Sequence, residues 1–536
     1  MTAHAHPTKV YFIGCHPSES ALLSPETGGN KGANLARLDR LGLRVPPAIV
    51  LGTAFCEEYF RRGGTLGPEF SQELRGYVRS LEEATGLTLG GRRPLLVAVR
   101  SSPPVSMPGM LDTILNVGLT ESVVHGLLRL TGNPFLAWDA YRRLIRDFGE
   151  TVLGVAPAVF DEMTTRHINE ARVSDERELD PLALRALAHA LFDALRSVTR
   201  MTIPDDPFSQ LVMTVEAVCR SWQSPRARAY RTLNKLDGVS STAVIIQTMV
   251  FGNAGGSSGS GVGFTRNPTN GDNELYLDFL FNSQGEDVVS GRQSSTEVAP
   301  LPLRLPAVYA ELERAKPLLE TELCDMQDFE FTVQEGRLYF LQTRAGKRTP
   351  WAALRIVIDL VSAGIIDRNT ALERLAAYDL ASIQHVGLRL SDCDPPIGEG
   401  TPAGLGVASG AIAIDATAAQ QMSTKGAVIL VRSDISPDDI VGVASAAGIV
   451  TAHGGRTSHA AVVARQLGKA CVVGCRTLRL DLDRRCCWFG EQMLHEGALL
   501  PVDSDSGRIY SGIQPIVIDR PNEALATIAG WRAQVG

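Results

Sequence analysis

One histidine stands in a setting that suits phosphoryl transfer. His459 lies in the segment T-A-H-G-G-R-T-S-H-A-A-V-V-A-R-Q-L-G, residues 451–468, where a glycine pair and two hydroxyl residues lead into an apolar-periodic stretch. The spacing predicts a helix that begins at this histidine, so its free N–H groups and the positive end of the helix dipole can hold a phosphoryl group. Neutral imidazole is also a competent nucleophile near neutral pH. A structural histidine beside a helix N-terminus is the alternative.

Two basic residues far upstream have the chemistry to hold phosphates. Lys31 lies in T-G-G-N-K-G-A-N-L-A-R-L, residues 27–38, which predicts a glycine-rich turn opening a helix. Glycines let the backbone approach phosphates closely, and the lysine supplies a point charge. Arg100 ends an apolar strand and precedes a Pro/Gly loop. Its guanidinium can fork onto phosphate oxygens, or it can form a surface ion pair with Asp112.

A later segment gathers oxygen ligands. The run D-F-E-F-T-V-Q-E-G-R-L-Y-F-L-Q-T-R, residues 328–344, alternates about a central Glu-Gly and predicts a β-hairpin. A turn at residues 334–336 places four polar side chains on one face, those of Asp328, Glu330, Gln342 and Arg344. Oxygen ligands on such a face suit Mg²⁺ bridging nucleotide phosphates. An exposed polar sheet face is the alternative.

A glycine- and serine-rich stretch lies between two β-rich segments. Residues 241–268 read as strand, loop and strand, and residues 254–261 are almost entirely Gly and Ser. The pattern predicts a hairpin lid that includes Gly259 and Gly261 and closes over a polyphosphate through its backbone N–H groups. A flexible linker is the alternative.

These elements must be positioned by a chain of 536 residues, enough for roughly three or four domains. Hydrophobic residues make up 44% and charged residues 21%, which is ordinary for a soluble globular protein. The formal net charge of −7 gives no general attraction to nucleic acid or to anionic membranes. The polar residues 1–7 and the lack of a long apolar run predict neither a signal peptide nor a membrane span, so a cytoplasmic protein is expected.

The histidine segment resembles the phosphohistidine motif of the phosphoenolpyruvate-utilising enzymes, above all the pyruvate phosphate dikinases. Three more segments also resemble dikinase sequence: N-P-F-L-A-W-D-A-Y-R-R, Q-G-E-D-V-V-S-G and F-L-Q-T-R-A-G-K-R-T. The resemblance implies an α/β (α+β) multidomain fold, with an ATP-grasp-type nucleotide-binding domain that carries a helical insertion and a compact swivelling phosphohistidine β/α domain. The expected parts are residues 1–345 for the first domain with its insertion at about 120–235, 346–398 for a helical connector, 399–515 for the phosphohistidine domain and 516–536 for a tail helix.

The same resemblance implies roles for individual residues. The residues expected to be catalytic are His459, as phosphoryl carrier, with Lys31 and Arg100. Those expected to bind ATP are Lys31, Arg100, Gly259, Gly261, Glu286, Glu330, Gln342 and Arg344. Those expected to hold Mg²⁺ are Asp328, Glu330 and Gln342. Mg²⁺ is the implied cofactor and ATP the implied substrate.

The chain also departs from the family pattern at several positions. Asn30 looks like a one-residue insertion before the lysine of the glycine-rich turn, and Ser102 and Pro103 replace a Gly-Ala pair after the strand-end arginine. His453 stands where the dikinases carry arginine, and Arg456 stands where they carry a less basic residue. The positive charge near His459 is therefore rearranged.

The reaction implied by the resemblance is autophosphorylation of His459 with the β-phosphoryl of ATP, releasing AMP together with pyrophosphate or phosphate. The dikinases continue into a barrel that binds pyruvate, and we find no counterpart of it in this chain. We therefore expect the phosphoryl group to pass to pyruvate or another acceptor on a separate partner, with no nucleic-acid or membrane partner. The alternatives are a phosphotransferase acting on a non-pyruvate small molecule and a non-catalytic ATP-binding regulatory protein.

Overall fold

The computed structural model describes residues 10–15, 23–105, 107, 110–173, 175–199, 202–236, 238–289, 301–389, 395–435, 439–456 and 458–535. The chain forms two compact units, Met1–Gly255 with Tyr339–Gln342, and Gly256–Leu338 with Thr343–Gly536. The division at residue 255 lies inside the segment 1–345 that the sequence analysis assigns to one domain. The bounds of the four parts given in the sequence analysis stay predictions.

The first unit is built from a β-sheet and many helices. Its elements in chain order are β1 (Val10–Ile13), α1 (Pro25–Arg40), β2 (Ala48–Leu51), α2 (Thr53–Arg61), α3 (Pro68–Thr85), β3 (Thr88–Leu89), β4 (Pro94–Leu95), β5 (Val97–Ser102), β6 (Thr113–Val117), α4 (Glu121–Thr131), α5 (Pro134–Thr151), α6 (Pro157–Ala171), α7 (Pro181–Thr199), α8 (Pro207–Ser221), α9 (Pro225–Leu233) and β7 (Ala243–Thr248). Helices α4 to α9 occupy the segment expected to be mainly helical. Prolines at the first turn of several of them fit helix starts, where the missing N–H is not needed.

A five-stranded sheet with the order β1-β2-β7-β5-β6 lies at the centre of the first unit. Strand β7 pairs antiparallel with both β2 and β5, and all six of its residues are buried. A strand covered on both faces needs apolar residues in succession rather than in alternation, as A-V-I-I supplies here. The sheet packs with the helices around one continuous apolar core that includes Trp138 and Tyr141. These two aromatic residues therefore serve packing.

The second unit contains the remaining elements. In chain order they are β8 (Gly259–Phe264), β9 (Tyr276–Phe281), α10 (Gly285–Val289), α11 (Leu301–Arg304), α12 (Pro306–Leu323), β10 (Gln327–Gln334), β11 (Arg337–Ala345), α13 (Pro350–Ser362), α14 (Arg368–Leu375), β12 (His385–Leu388), β13 (Gly398–Glu399), β14 (Thr401–Pro402), β15 (Val407–Ala413), α15 (Ala416–Ser423), β16 (Val428–Arg432), α16 (Ile440–Ser445), β17 (Gly448–Thr451), α17 (His459–Gln466), β18 (Ala470–Val473), β19 (Leu478–Asp481), β20 (Cys486–Phe489), β21 (Gln492–His495), β22 (Leu499–Asp503), β23 (Arg508–Ile509), β24 (Ile516–Asp519) and α18 (Asn522–Val535). Part of β11, Tyr339–Gln342, is grouped with the first unit.

The predicted hairpin lid is wrong. Strand β7 belongs to the five-stranded sheet, whereas β8 belongs to a four-stranded sheet with the order β11-β10-β8-β9. Gly259 and Gly261 lie within β8 rather than in a loop, and β8 is paired on both sides. An added Cβ would lie 2.3 Å from the Phe279 ring at Gly259 and 2.5 Å from the Phe331 ring at Gly261. The glycines therefore make room for aromatic rings, and the loop that precedes them ends at residue 258, before both glycines.

The predicted hairpin at residues 328–344 is confirmed. Strands β10 and β11 are neighbours in the four-stranded sheet, and their turn consists of Glu335 and Gly336, both at positive φ. Positive φ at two successive turn residues is typical of tight hairpin turns, because the twist of such a turn matches the twist of the strands.

The final elements correct part of the predicted tail helix. Residues 516–519 form strand β24, which pairs antiparallel with β12, and the helix α18 begins only at Asn522. Ile528 and Trp531 of this helix are buried in a core with helices α13 and α14. Residues 516–518 are β-branched, which favours a strand over a helix.

An eight-stranded sheet with the order β13-β23-β22-β15-β16-β17-β18-β14 carries the histidine segment. The four strands β15 to β18 run parallel in succession, with helix α17 joining the last two. Both faces of this sheet are covered by apolar clusters. In the part of the chain described by the structure, no helix is long and apolar enough to span a membrane.

Candidate functional site

The glycine-rich turn of the first unit is shaped by close contact with the end of β5. Gly29 interrupts helix α1 with φ 69° and ψ 167°, and an added Cβ would lie 1.7 Å from the carbonyl oxygen of Ser102. The hydroxyl of Ser102 donates to the carbonyl of Gly28 at 2.9 Å and accepts from the N–H of Gly32 at 3.1 Å. Lys31 therefore lies in a turn whose backbone is fixed on both sides of it.

Arg100 lies on β5 between two glutamines. Its Nη1 donates to Oε1 of Gln247 at 3.3 Å, and its Nη2 donates to Oε1 of Gln342 at 3.4 Å. Both glutamine side chains are buried. The two amide oxygens help to hold the planar guanidinium in one orientation. Asp112, the alternative partner considered for Arg100, forms an ion pair with Arg226.

The side-chain oxygen of Gln342, predicted to bind Mg²⁺, lies beside the guanidinium of Arg100. Its amide oxygen accepts from Arg100, and a cation beside this oxygen disfavours Mg²⁺ at the same atom. The structure thus brings Gln342 to Arg100, and the Mg²⁺ role of Gln342 stays a prediction.

One face of the four-stranded sheet collects carboxylates beside an aromatic pair. Cross-strand partners on antiparallel strands share a face, and the registers of β10, β8 and β9 define the rows. The two rows are Asp328–Phe264–Tyr276 and Glu330–Val262–Asp278. The sequence analysis does not name Asp278, whose place on this face follows from the pairing of β8 with β9.

Asp328 has the most constrained carboxylate of this face. Its Oδ2 accepts from Nε of Arg344 at 2.8 Å, and its Oδ1 is buried with no hydrogen-bond partner among the described residues. Burial raises the pKa of Asp328, and the charge of Arg344 opposes that rise while the charge of Glu330 adds to it. Asp328, Glu330 and Arg344 therefore lie close together, as predicted from the hairpin.

The residues present are compatible with Mg²⁺ held jointly with a nucleotide. Across the described ranges, no group of three or more His, Cys, Asp or Glu side chains forms a cage for a metal ion. Nucleotide-associated Mg²⁺ needs only one or two carboxylates, because phosphates and water supply the other ligands. The buried Oδ1 of Asp328 is an oxygen of that kind. The side chain of Glu286 lies outside the described part of the chain.

The histidine segment folds locally as its sequence predicts. Helix α17 begins at His459, and the hydroxyl of Ser458 accepts from the N–H of Ala461 at the helix N-terminus. Gly454 has φ 116°, a backbone conformation that suits glycine at this bend. The side chain of His459 lies outside the description, so its placement here is that of its backbone.

The residues before His459 lie against the carboxylate-bearing face of the four-stranded sheet. We call residues 453–458 the histidine loop, of which Thr457 lies outside the described residues. An added Cβ on Gly455 would lie 2.3 Å from Oδ2 of Asp278. The Arg456 guanidinium lies over the Tyr276 ring, 4.7 Å from its centre. Since both partners belong to the second unit, this unit brings the loop and the carboxylate face together.

Arg465 supports the histidine loop from inside the fold. Its side chain is fully buried, and its Nη1 donates to the Arg456 carbonyl at 2.7 Å and to the Ala403 carbonyl at 3.4 Å. Burial lowers the pKa of Arg465. Sequence reasoning overlooked this residue because an arginine late in an amphipathic helix is ordinarily solvent-exposed.

The fold and these sites define a class: an ATP-grasp-type nucleotide-binding domain joined to a phosphohistidine-type domain. Comparison with known families agrees with this class. Residues 65–300 match the model described as "Pyruvate phosphate dikinase, AMP/ATP-binding domain", and residues 424–507 match the model "PEP-utilising enzyme, mobile domain".

Curated relatives cover almost the whole chain. It is 40% identical to "Pyruvate, phosphate dikinase, chloroplastic" of Flaveria pringlei over 98% of this chain and 55% of that protein. It is 39% identical to "Pyruvate, phosphate dikinase 2" of Zea mays over 98% of this chain and 60% of that protein. The chain spans a little over half the length of the curated relatives it matches. The chain is similar to the pyruvate phosphate dikinases over their AMP/ATP-binding and mobile domains.

Proposed function

We propose that this protein transfers a phosphoryl group from ATP to His459. A ring nitrogen of His459 attacks the β-phosphorus, a nitrogen–phosphorus bond forms, and the bond from the β-phosphorus to the bridging oxygen of AMP breaks. AMP leaves, and the histidine carries a pyrophosphoryl group. Its γ-phosphoryl then passes to phosphate, giving pyrophosphate, or to water, giving phosphate. The phosphohistidine remains in either case.

One observation carries this proposal. The histidine loop lies against the sheet face that carries Asp278, Asp328 and Glu330, while His459 begins helix α17 directly after that loop. Phosphoryl transfer depends mainly on positioning and on charge stabilisation, so a histidine delivered beside nucleotide-binding carboxylates suits the reaction. The match to an AMP/ATP-binding domain and to a mobile domain supports the same conclusion.

The remaining predicted residues take roles in holding the nucleotide. Lys31 and Arg100 contact phosphate oxygens, and Gln342 with Gln247 orients the Arg100 guanidinium. Asp328 and Glu330 hold Mg²⁺, and Arg344 fixes the carboxylate of Asp328. When bound, Mg²⁺ neutralises charge on the phosphate oxygens. Glu286 contacts ATP by the family resemblance. Gly259 and Gly261 make room for aromatic rings in the sheet, and their contact with ATP stays a prediction.

The acceptor of the phosphoryl group belongs to the same proposal. The relatives are named pyruvate, phosphate dikinases. We propose pyruvate as the acceptor, bound on a separate polypeptide in the cytoplasm, with phosphate accepting the γ-phosphoryl.

The test uses ATP labelled at either the β- or the γ-phosphorus. With Mg²⁺ and phosphate, the proposal expects acid-labile protein label from the β-position, loss of the γ-label into pyrophosphate, and one AMP per phosphoenzyme. His459→Ala should form no phosphoenzyme while retaining ATP binding, and His453→Ala is the matched control outside helix α17. Release of ADP instead of AMP, or acid-labile label on His459→Ala protein, would contradict the proposal.

A further inference from the structure

An aromatic pair lies directly beneath the histidine loop. Phe264 of β8 and Tyr276 of β9 are cross-strand partners, and their rings meet edge to face at 6.2 Å. They occupy the same sheet face as Asp328, to which Phe264 is also paired. We refer to Phe264 and Tyr276 as the aromatic pair.

The aromatic pair contacts two arginine guanidinium groups, one from a residue before His459 in the sequence and one from a residue after it. Arg456 precedes the histidine and lies 4.7 Å from the centre of the Tyr276 ring. Arg465 follows it in α17 and lies 5.3 Å from the centre of the Phe264 ring. The two are joined, because Nη1 of Arg465 donates to the carbonyl of Arg456. The loop before the histidine and the helix after it are thus held over neighbouring rings.

A further bond ties the aromatic pair to the eight-stranded sheet. The hydroxyl of Tyr276 donates to the carbonyl of Pro402 at 3.0 Å, and Pro402 lies in β14 of that sheet. Both rings of the pair are buried. Within the described ranges, neither Arg456 nor Arg465 forms an ion pair with a carboxylate. The described contacts between the histidine segment and the four-stranded sheet thus include two guanidinium groups on rings and a close backbone approach at Gly455.

We infer that Arg456 and Arg465 are positioning residues whose contact with the aromatic pair holds the histidine loop against the carboxylate-bearing sheet face during the ATP step. This inference rests on the proposed function. Cation–π contacts fix the position of a guanidinium over a ring without a hydrogen-bonded carboxylate partner. A contact of this kind can separate and form again, which suits a domain that must carry a phosphoryl group elsewhere.

The experiment compares ring removal with hydroxyl removal in the full chain. Tyr276→Leu removes the platform for Arg456, whereas Tyr276→Phe removes only the bond to Pro402. For Tyr276→Leu we expect phosphoenzyme formation at saturating ATP to slow by about tenfold, the loss of one desolvated cation–π contact, with ATP affinity unchanged. Tyr276→Phe should slow the step by less.

Arg456→Met provides a second variant, since Tyr276 lies in a core. Arg479→Met is its matched control, because Arg479 is an exposed arginine in the same part of the chain that donates to the Gly490 carbonyl. Arg456→Met should slow phosphoenzyme formation as Tyr276→Leu does, and Arg479→Met should not. If Arg456→Met and Arg479→Met behave alike, the inference is overturned.

Hydrogen exchange separates failure of this inference from failure of the proposed function. Without nucleotide, backbone amides of residues 448–466 should exchange faster in Tyr276→Leu and Arg456→Met than in the wild type. If the wild type forms no phosphoenzyme, the proposed function fails, and the exchange data alone then decide whether the aromatic pair holds the loop. Unchanged exchange in both variants overturns the inference whatever the activity.

Discussion

Asp328 and Arg344 form an unequal pair, in which Nε of Arg344 donates to Oδ2 of Asp328 while Oδ1 stays buried with no partner among the described residues. The pKa of Asp328 is raised, mainly by burial. A carboxyl group whose pKa is higher in the folded than in the unfolded state stabilises the fold most when the pH lies below the unfolded-state pKa. That stabilisation is lost as the pH rises through the folded-state pKa. Ionisation of Asp328 therefore costs stability.

Replacing Asp328 with Asn should separate function from stability. The amide keeps the shape and removes the buried charge, so we expect the melting temperature at pH 7 to stay the same or rise. Phosphoenzyme formation from ATP and Mg²⁺ should fall by a factor of the order of 100, the usual loss when one preorganised charge-stabilising group is removed.

Thermal unfolding and the single-turnover rate, measured on the same preparations, check both parts. Asp325→Asn is the control, because Asp325 lies three residues earlier in the sequence and also pairs with an arginine, Arg348. An Asp328→Asn protein that keeps the wild-type rate would remove this carboxylate from the ATP step.

Ser102→Ala should loosen the glycine-rich turn. The hydroxyl makes two buried hydrogen bonds that fix the backbone around Lys31. Leaving the Gly32 N–H and the Gly28 carbonyl unsatisfied should cost about 1–3 kcal/mol of stability and weaken ATP binding. Melting temperature and ATP affinity by calorimetry measure the two effects.

The neighbouring serine offers a matched control. The Ser101 hydroxyl is buried with no hydrogen-bond partner in the described part of the chain. Ser101→Ala should therefore leave stability unchanged or raise it slightly, since it removes a polar group that gains nothing from burial. Equal losses in the two variants would show that burial rather than the turn-fixing bonds determines the effect.

Gly261→Ala tests whether this glycine is needed for packing in the sheet or for a lid over the nucleotide. The new Cβ would meet the Phe331 ring at 2.5 Å and the Asp278 carbonyl at 2.8 Å, so overpacking should destabilise the protein by about 1–3 kcal/mol. Gly256→Ala in the preceding loop is the control, because its Cβ would have one neighbour within 4 Å, at 3.8 Å. A reduced ATP affinity at 25 °C for Gly256→Ala with no loss for Gly261→Ala would favour a loop function over packing.

The sequence predicted local structure well where the pattern was long and regular. The alternation in residues 328–344 located the hairpin, and the glycine pair followed by S-H-A-A located the helix that begins at His459. The glycines of β8 misled because a run of Gly and Ser has the composition of a loop. These positions require glycine because the rings of Phe279 and Phe331 leave no space for a Cβ. The two rings are distant in sequence, so only the strand pairing shows that they lie beside the glycines.

The candidate site shows the same limit. Asp328, Glu330 and Arg344 were predictable together because one hairpin carries them. Asp278 and Arg465 were not predicted, since their roles come from contacts between separate segments rather than from a local motif. Arg100 was predicted as a phosphate contact, but its support by Gln247 required the pairing of β5 with β7.

His385 should make stability depend on pH near neutrality. Its Nε2 lies 2.7 Å from Oδ2 of Asp505, and this hydrogen bond is the main reason that the pKa of His385 is raised, with smaller effects from the charges of Asp519 and Asp503. A raised pKa gives stabilisation that is fully present below the unfolded-state value of about 6.5 and is lost as the pH rises through the folded-state value.

The contribution should be about 1 kcal/mol or less, because the pair is partly exposed. His385→Gln keeps a hydrogen-bonding side chain but cannot titrate, so its melting temperature should fall relative to the wild type at pH 5.5 and approach the wild-type value at pH 8.5. His495→Gln is the control, because His495 is an exposed histidine of β21. Asp505 also accepts from the Gly406 N–H, so the charge of His385 helps to hold a carboxylate that fixes the start of β15. A difference in melting temperature between His385→Gln and wild type that stays constant across this pH range would show that shape, rather than charge, makes the contact.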